Sequence, residues 1–398
     1  MSRLHNAGYE FRDLLEADDA AISSPVSLPI PPFGSWASEL NKVFGGGYNL
    51  FGFASISEFY FGLSFYLSNS PSWSDLRVYW NSGGQSNYLG AIEVHVFTDP
   101  GTGLRCQVAS TVGGNLTVVA SGATAVSANT WHHLEGHVVI GSTTGLIEAK
   151  LNGVSQFVYS GATDVGGNTT IDSIEPHSVG ATNSNVYVDN VIVNNTAGGS
   201  DNSWPGRVYI GGLIPSAAGP YTSMSTLVGA ATQWETVDEA PPDDDTSYVA
   251  DTVAGNKSAF GMADPPSLTG WVIGRAWVDL RAAQPSTSTG RIATFLQTAG
   301  TDFEGSAQSL TSLYGRYIES YKNNPQSGAG WNAGELTSLS AGAVVRGTGS
   351  VERRVTGVRM MYEVTSVVAT VSSFAYFQLA VKVFACMGNV QWLLSSMR

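Results

Sequence analysis

The sequence predicts an all-β protein of two domains, the first of them a sandwich or jelly roll. Three observations carry this. Charged residues make up only 13% of the 398, about half the usual share, and no long Lys- or Glu-rich helical run occurs. From about residue 59 to 193, short alternating segments follow one another, separated by Gly, Asn and Ser turns. Many short strands with regular turns make a sandwich, and a chain of this length holds two cores.

In order, the first-domain strands include EFYFGLSFYL, GAIEVHVFT, LRCQVAS, NLTVVAS, TWHHLEGHVVI, LIEAKLNG, VSQFVYSG and NVYVDNVIVN. Leu151-Asn152-Gly153-Val154 sets Asn-Gly, the preferred pair of a type I′ turn, between two strands, and Gly141 to Gly145 makes a looser hairpin just before it. Trp204 to Leu213 reads as one more strand. The polar PSAAGPYTSMS passage that follows puts a boundary near Ile214, so the first domain is expected at 1–213 and the second at 214–368. After the acidic stretch Glu235 to Thr246, apolar runs at Gly270 to Leu280, Arg291 to Leu296 and Val355 to Val364 read as strands. Leu310 to Tyr321 fits helical spacing as well, and its tyrosines favour strand. Residues 369–398 form a hydrophobic C-terminal tail, rich enough in Phe, Val and Leu that it must be covered, and it is expected to be an assembly segment.

A net charge of −13 argues against a nucleic-acid partner. Cys106 and Cys386 lie far apart and give no disulfide framework. The start, MSRLHNAGYEFRDLLEADD, lacks an apolar signal core, which suits assembly in a host cytoplasm. The most apolar stretch, Phe374 to Met387, contains Gln378 and Lys382 and falls short of the ~20 residues of a spanning helix, so no membrane insertion is expected.

The stretch Thr130 to Ile140 groups three histidines with a glutamate. As a strand it places His132, Leu134, Gly136, Val138 and Ile140 on one face and Trp131, His133, Glu135, His137 and Val139 on the other. The first set is the more apolar and should face the core. That leaves a His133-Glu135-His137 row on an outer, exposed face, where two imidazoles could chelate zinc. Glu135 between two imidazoles is more simply a charge neighbour, so no metal site is expected.

The order of TWHHLEGHVVIGSTTGLIEAKLNGV, NVYVDNVIVNN and WPGRVYI resembles the laminin-G-like, concanavalin A-like jelly roll, above all the version in virion proteins of tailed bacteriophages. VDEAPPDDDTSYV at Val237 to Val249 and NPQSGAGWNAGEL at Asn324 to Leu336 look like the second half of the same proteins, so the resemblance spans about Ser57 to Val364. It implies a structural virion protein, a tail fibre or baseplate component or a capsid decoration or head fibre, forming a homo-oligomer and touching other virion proteins. The alternative is a carbohydrate-binding host-adsorption protein that contacts a surface glycan, and the third reading is a polysaccharide-degrading enzyme.

A glycosidase needs two carboxylates flanking the scissile bond. No Glu-x-Asp-x-x-Glu run exists; Asp172 and Glu175 fall on opposite faces of a strand that Pro176 is expected to end, and Glu93, Glu148 and Asp189 stand singly. No Gly-x-Ser-x-Gly elbow occurs either. The reading is therefore non-enzymatic, with no catalytic, cofactor-binding or metal-binding residue. Trp73, Tyr79, Trp80 and Tyr88, in or near Ser/Asn/Gly-rich loops, are the aromatics that could stack on a sugar, although core or rim packing is the simpler assignment. Asp243, Asp244 and Asp245 read as a solvated linker rather than a calcium site.

Overall fold

The computed structural model describes residues 48–366, except 69–73, 84–86, 97–102, 180–184, 199, 287–289 and 349, together with four short strands before residue 41. The first sandwich is built from β1 (Arg3–Ala7), β2 (Asp19–Ala21), β3 (Ser23–Val26), β4 (Ala37–Leu40), β5 (Tyr48–Ile56), β6 (Glu58–Leu67) and β7 (Ser74–Asn81). It continues through β8 (Tyr88–Val96), β9 (Gly103–Ala109), β10 (Leu116–Ser121), β11 (Trp131–Val139), β12 (Gly145–Leu151), β13 (Val154–Gly161), β14 (Ile171–Val179) and β15 (Val186–Asn195). One sheet runs β13-β12-β11-β6-β15-β4-β3 with β1 added to β15, and the facing sheet runs β10-β9-β8-β7-β14-β5-β2. The connectivity is an antiparallel jelly roll, as the sequence predicts.

The alternation in β6 shows why. Phe59, Phe61, Leu63, Phe65 and Leu67 are all fully buried, the period-2 row of a strand with one face on a core. They meet Leu134 and Val138 of β11, Val191 and Val193 of β15, and across the sandwich Leu76, Val78 and Trp80 of β7 with Ile92 and Ile174. Each such side chain contributes roughly 1.5–3 kcal/mol on leaving water. The interior position of Gly136 has its own reason: a Cβ there would stand 2.2 Å from the Phe61 ring. At the β12–β13 turn, Asn152 and Gly153 both have positive φ, 51° and 82°, which is the type I′ turn expected from the sequence.

The second sandwich comprises β16 (Val208–Leu213), β17 (Pro215–Thr222), β18 (Thr226–Val228), β19 (Tyr248–Asp251), β20 (Lys257–Met262) and β21 (Trp271–Ala283). Then come β22 (Arg291–Thr298), β23 (Thr301–Glu304), β24 (Gln308–Ser309), β25 (Gly315–Tyr321), α1 (Ala333–Leu336), β26 (Ser340–Arg346) and β27 (Arg353–Ser366). Its sheets are β18-β19-β27-β21-β25, with β16 on β27, and β17-β20-β26-β22-β23, with β24 on β22. Phe260, Val278, Leu280, Leu296, Val345, Met360 and Tyr362 fill the space between them. Within 310–321 the strand reading holds for Gly315–Tyr321.

The expected boundary near Ile214 is corrected. β16 pairs along its whole length with β27, Val208 opposite Thr365 and Leu213 opposite Met360, so this strand belongs to the second sandwich and the division falls between Asn195 and Val208. The cause is apolar: Val208 and Ile210 pack with Trp277 and Met361, and Ile192 of β15 joins the same cluster. Around this joint the Ile210 N–H donates to Asn190 Oδ1 at 2.7 Å, and Arg275 pairs with Asp201. The 369–398 tail, Cys386 and Trp73 lie outside the described residues. Among those described, no helix is long and apolar enough to cross a membrane.

Candidate functional site

The two outer faces of the first sandwich differ. On the β11 face, Leu134, Val138 and Ile140 point into the core as expected, yet His133, Glu135 and His137 are buried too. The expectation of an exposed His-Glu-His row is therefore corrected. The segment joining the sandwiches crosses this face and covers it. The Gly206 N–H donates to Glu135 Oε1 at 2.8 Å, and Trp204 packs edge-on to Tyr60, with ring centroids 5.5 Å apart. The Lys150 ammonium sits 3.6 Å over the Trp204 ring. Tyr60 in turn stacks on His137 at 4.0 Å.

His137 is clamped between carboxylates, Nδ1 at 2.8 Å from Glu148 and Nε2 at 3.0 Å from Glu58. Glu148 thus does not stand singly. Burial, then the nearby Arg207 charge, pushes the His133 imidazole down to about 4. His132 serves the framework: its ring nitrogens face the Ser127 carbonyl at 2.9 Å and the Asn152 amide at 3.0 Å. That ties the start of β11 to the Asn-Gly turn. Among the described residues, no group of three His, Cys, Asp or Glu side chains is placed to hold a metal ion.

The outer face of the seven-stranded sheet is the chemically rich one. Cross-strand register sets its side chains in three rungs. The first runs Arg105 (β9), Glu93 (β8), Arg77 (β7), His177 (β14), Tyr48 (β5). The second is Gln107, Ala91, Tyr79, Glu175, and the third is Tyr88, Asn81, Ser173, Gly52. Four strand spacings of ~4.8 Å make the first rung about 19 Å long. The small residues Ala91 and Ser173 between the aromatic and charged side chains are closed off from solvent.

The polar groups are fixed by one another. Arg77 Nε donates to Glu93 Oε1 at 2.6 Å and Nη1 to the Tyr79 hydroxyl at 3.3 Å. The other Glu93 oxygen accepts from Gln107 Nε2 at 2.5 Å. Glu175 accepts from His177 Nδ1 at 2.7 Å and from Asn81 Nδ2 at 3.4 Å. Burial works against the Arg77 charge, but Tyr79 and Glu93 outweigh it and its pKa rises. Burial likewise raises the Tyr79 phenol, although Arg77 pulls the other way. Tyr79 lies 4.8 Å from Tyr88 and edge-on to His177 at 5.6 Å, and Tyr48 stacks on His177 at 5.9 Å. Arg77 and His177 keep 27% and 18% of their side chains open to solvent, while Glu93 and Glu175 are nearly closed off.

Two sequence readings change here. Pro176 does not end its strand: β14 continues to Val179, with Pro176 opposite Val78 of β7 and without a partner in β5. A residue lacking an N–H is tolerated where no ladder bond is required of it. Glu93 and Glu175 share one face and one network instead of standing singly, whereas Asp172 falls on the opposite parity, its carboxylate accepting from the Gly83 N–H at 2.8 Å. Of the aromatics, Trp80 is core, Tyr79 is buried within the rungs at 7% exposure and Tyr88 is partly exposed, the core and rim packing expected of them.

The acidic Asp243–Asp245 loop is not a solvated linker. Asp244 forms a two-pronged pair with Arg281 at 2.7 and 2.8 Å, and Asp245 takes Arg354 at 2.6 Å and the Tyr314 hydroxyl at 3.0 Å. Asp243 accepts from Ser247 Oγ at 2.7 Å. The cleft of about 270 Å³ beside them, also lined by Leu313 and Pro285, is thus walled by charges already paired.

No protein family matches the sequence, and no curated protein does. Among solved structures, the chain is similar to an endo-β-1,4-glucuronan lyase from the fungus Trichoderma reesei, at 15% identity over 49% of this chain and 96% of that one, with a TM-score of 0.37. It is similar to the carbohydrate recognition domain of Emp47p, at 11% identity over 49% and 97% of the two chains, with a TM-score of 0.35. A carbohydrate binding module from Bacillus subtilis also matches, at 11% identity over 40% and 86%, with a TM-score of 0.30.

Proposed function

We propose that the chain is a non-enzymatic surface protein of a tailed-phage virion, of the host-adsorption kind, that binds carbohydrate on the outer face of its seven-stranded sheet. The observation that carries the binding reading is the three-rung face. Tyr88 keeps part of its ring open above the buried Tyr79 and Tyr48, and the partly open Arg77 and His177 offer hydrogen-bonding groups held in place by the buried Glu93, Glu175 and Asn81, a combination suited to a sugar's apolar faces and its hydroxyls. The virion setting rests on the ordered series of motifs from Trp131 to Ile210.

Pairing favours binding over catalysis. Both oxygens of Glu93 and both of Glu175 are engaged by Arg77, Gln107, His177 and Asn81, so neither carboxylate stands free as a general base or nucleophile. Glycan-array binding by the full chain, compared with Tyr88→Ala and His177→Gln, which keeps a donor for Glu175, tests the site. The proposal expects a defined set of bound glycans, lost in both variants while the melting temperature stays near the parent's, and no new reducing ends from the bound polysaccharide. Binding unaffected by either change would refute the site, and reducing-end release would refute the non-enzymatic reading. Peptide mass mapping of purified particles tests the setting, which fails if the chain is missing from them.

A further inference from the structure

On the reading of this face as a glycan site, we infer that its ligand is an anionic glycan and that Arg105 binds the acidic group. Charge on the first rung is unmatched. Glu93 stands between two arginines, opposite Arg77 on one side and Arg105 on the other. Residues directly opposite in a sheet have Cβ atoms ~4.5–5.5 Å apart, close enough for either arginine to pair with it. Its oxygens are nevertheless spent on Arg77 and Gln107. The other carboxylate of the face, Glu175, is spent on His177 and Asn81.

Arg105 is therefore left over. It is partly exposed, and among the described residues its guanidinium has no hydrogen bond and no ion pair. The chain has 19 Lys and Arg against 32 Asp and Glu; Arg77, Arg275, Arg281, Arg316, Arg346 and Arg354 each hold a carboxylate, while Arg207 and Arg291, which hold none among the described residues, lie off this face. Where acids are in excess, an arginine without one, at the end of a rung of fixed donors and acceptors, is placed for an acid that comes with the ligand. The planar fork of a guanidinium matches a carboxylate or sulfate in two-pronged fashion. The partly open Tyr88, two rungs away, would take a ring face while Arg105 takes the anion.

The test is an array that prints each uronate-containing oligosaccharide beside its carboxyl-reduced neutral counterpart, with sulfated and desulfated pairs alongside, probed with the full chain, Arg105→Gln, Arg105→Lys and Tyr88→Ala. The inference expects acidic members to bind and their neutral counterparts to fall by about tenfold or more. Arg105→Gln should erase that preference without changing the melting temperature, Arg105→Lys should restore part of it, and rising salt should weaken acidic binding only. Whether carboxylate or sulfate members lead identifies the acid. Equal binding of acidic and neutral members, or a preference that survives Arg105→Gln, overturns the inference, while loss of all binding in Tyr88→Ala still upholds the site. Wild-type chain that binds nothing on the array overturns both.

Discussion

His133 makes the covered face of the first sandwich testable by acid. Its ring is closed in beneath the Pro205-Gly206 segment, and burial with the Arg207 charge holds it at about 4 against an ordinary 6.5. The unfolded chain therefore takes up this proton first as pH falls, which lowers stability. The contribution of neutral His133 is fully present above pH ~6.5, is lost as pH drops towards 4, and levels off below that. At ~1.36 kcal/mol per pH unit of separation, the full loss is about 3 kcal/mol, and between about pH 7 and about pH 4.5 it is about 2 kcal/mol. His133→Gln removes the titration and keeps a polar side chain. Urea melts of the parent and this variant at both pH values isolate the effect, because the carboxylates that also titrate are common to both. The parent should lose about 2 kcal/mol more than the variant on acidification. Equal losses would refute the burial of His133 and with it the path of the joining segment.

Four further outcomes follow from the packing. Val138→Asp puts an unpaired carboxylate into a fully closed core and should cost several kcal/mol, enough to unfold the first sandwich in a near-ultraviolet circular dichroism spectrum. Gly136→Ala drives a methyl against the Phe61 ring and should lower stability by about 1–3 kcal/mol in urea melts. Trp277→Ala empties the centre of the joint and should cost about 3–5 kcal/mol while loosening the two sandwiches, read as a larger radius of gyration in small-angle scattering. Changing His133 and His137 together to Gln should leave the melting temperature as insensitive to chelator as the parent's, and zinc found stoichiometrically in the parent and lost in the double variant would contradict the covered-row geometry.

The fold was legible because its signals are local. Phe59 to Leu67 alternates strictly and Asn152-Gly153 allows one turn, so β6, β11, β12, β13 and β15 can be read from the chain. The candidate site was not, because it is written on the strands with the weakest signals. β7 lies between Ser- and Asn-rich stretches that look like loop, and β14 carries Pro176. The residues that matter, Arg77, Tyr79, Glu93, Gln107, Glu175 and His177, come from four strands, and only the register brings them together. Alternation in SDLRVYWN and IDSIEPHSV could have marked one polar face, but nothing local says that the two strands are neighbours. The His133-Glu135-His137 row misled for the related reason that its cover, Trp204 to Arg207, comes from a distant segment. That segment also hid the domain boundary, since VYIGGL looks the same whichever sandwich it joins.

The outer face of the seven-stranded sheet is the proposed glycan face. Amide hydrogen exchange of the full chain, with and without a saturating array-selected oligosaccharide, tests it most directly, because it reports the location of binding without altering a residue. The account predicts added protection in peptides covering Leu76 to Asn81, Leu89 to Val94 and Ile171 to Ser178, with the second sandwich and β11 to β13 unchanged. Protection confined to the second sandwich, or to the face beneath Trp204, would contradict it.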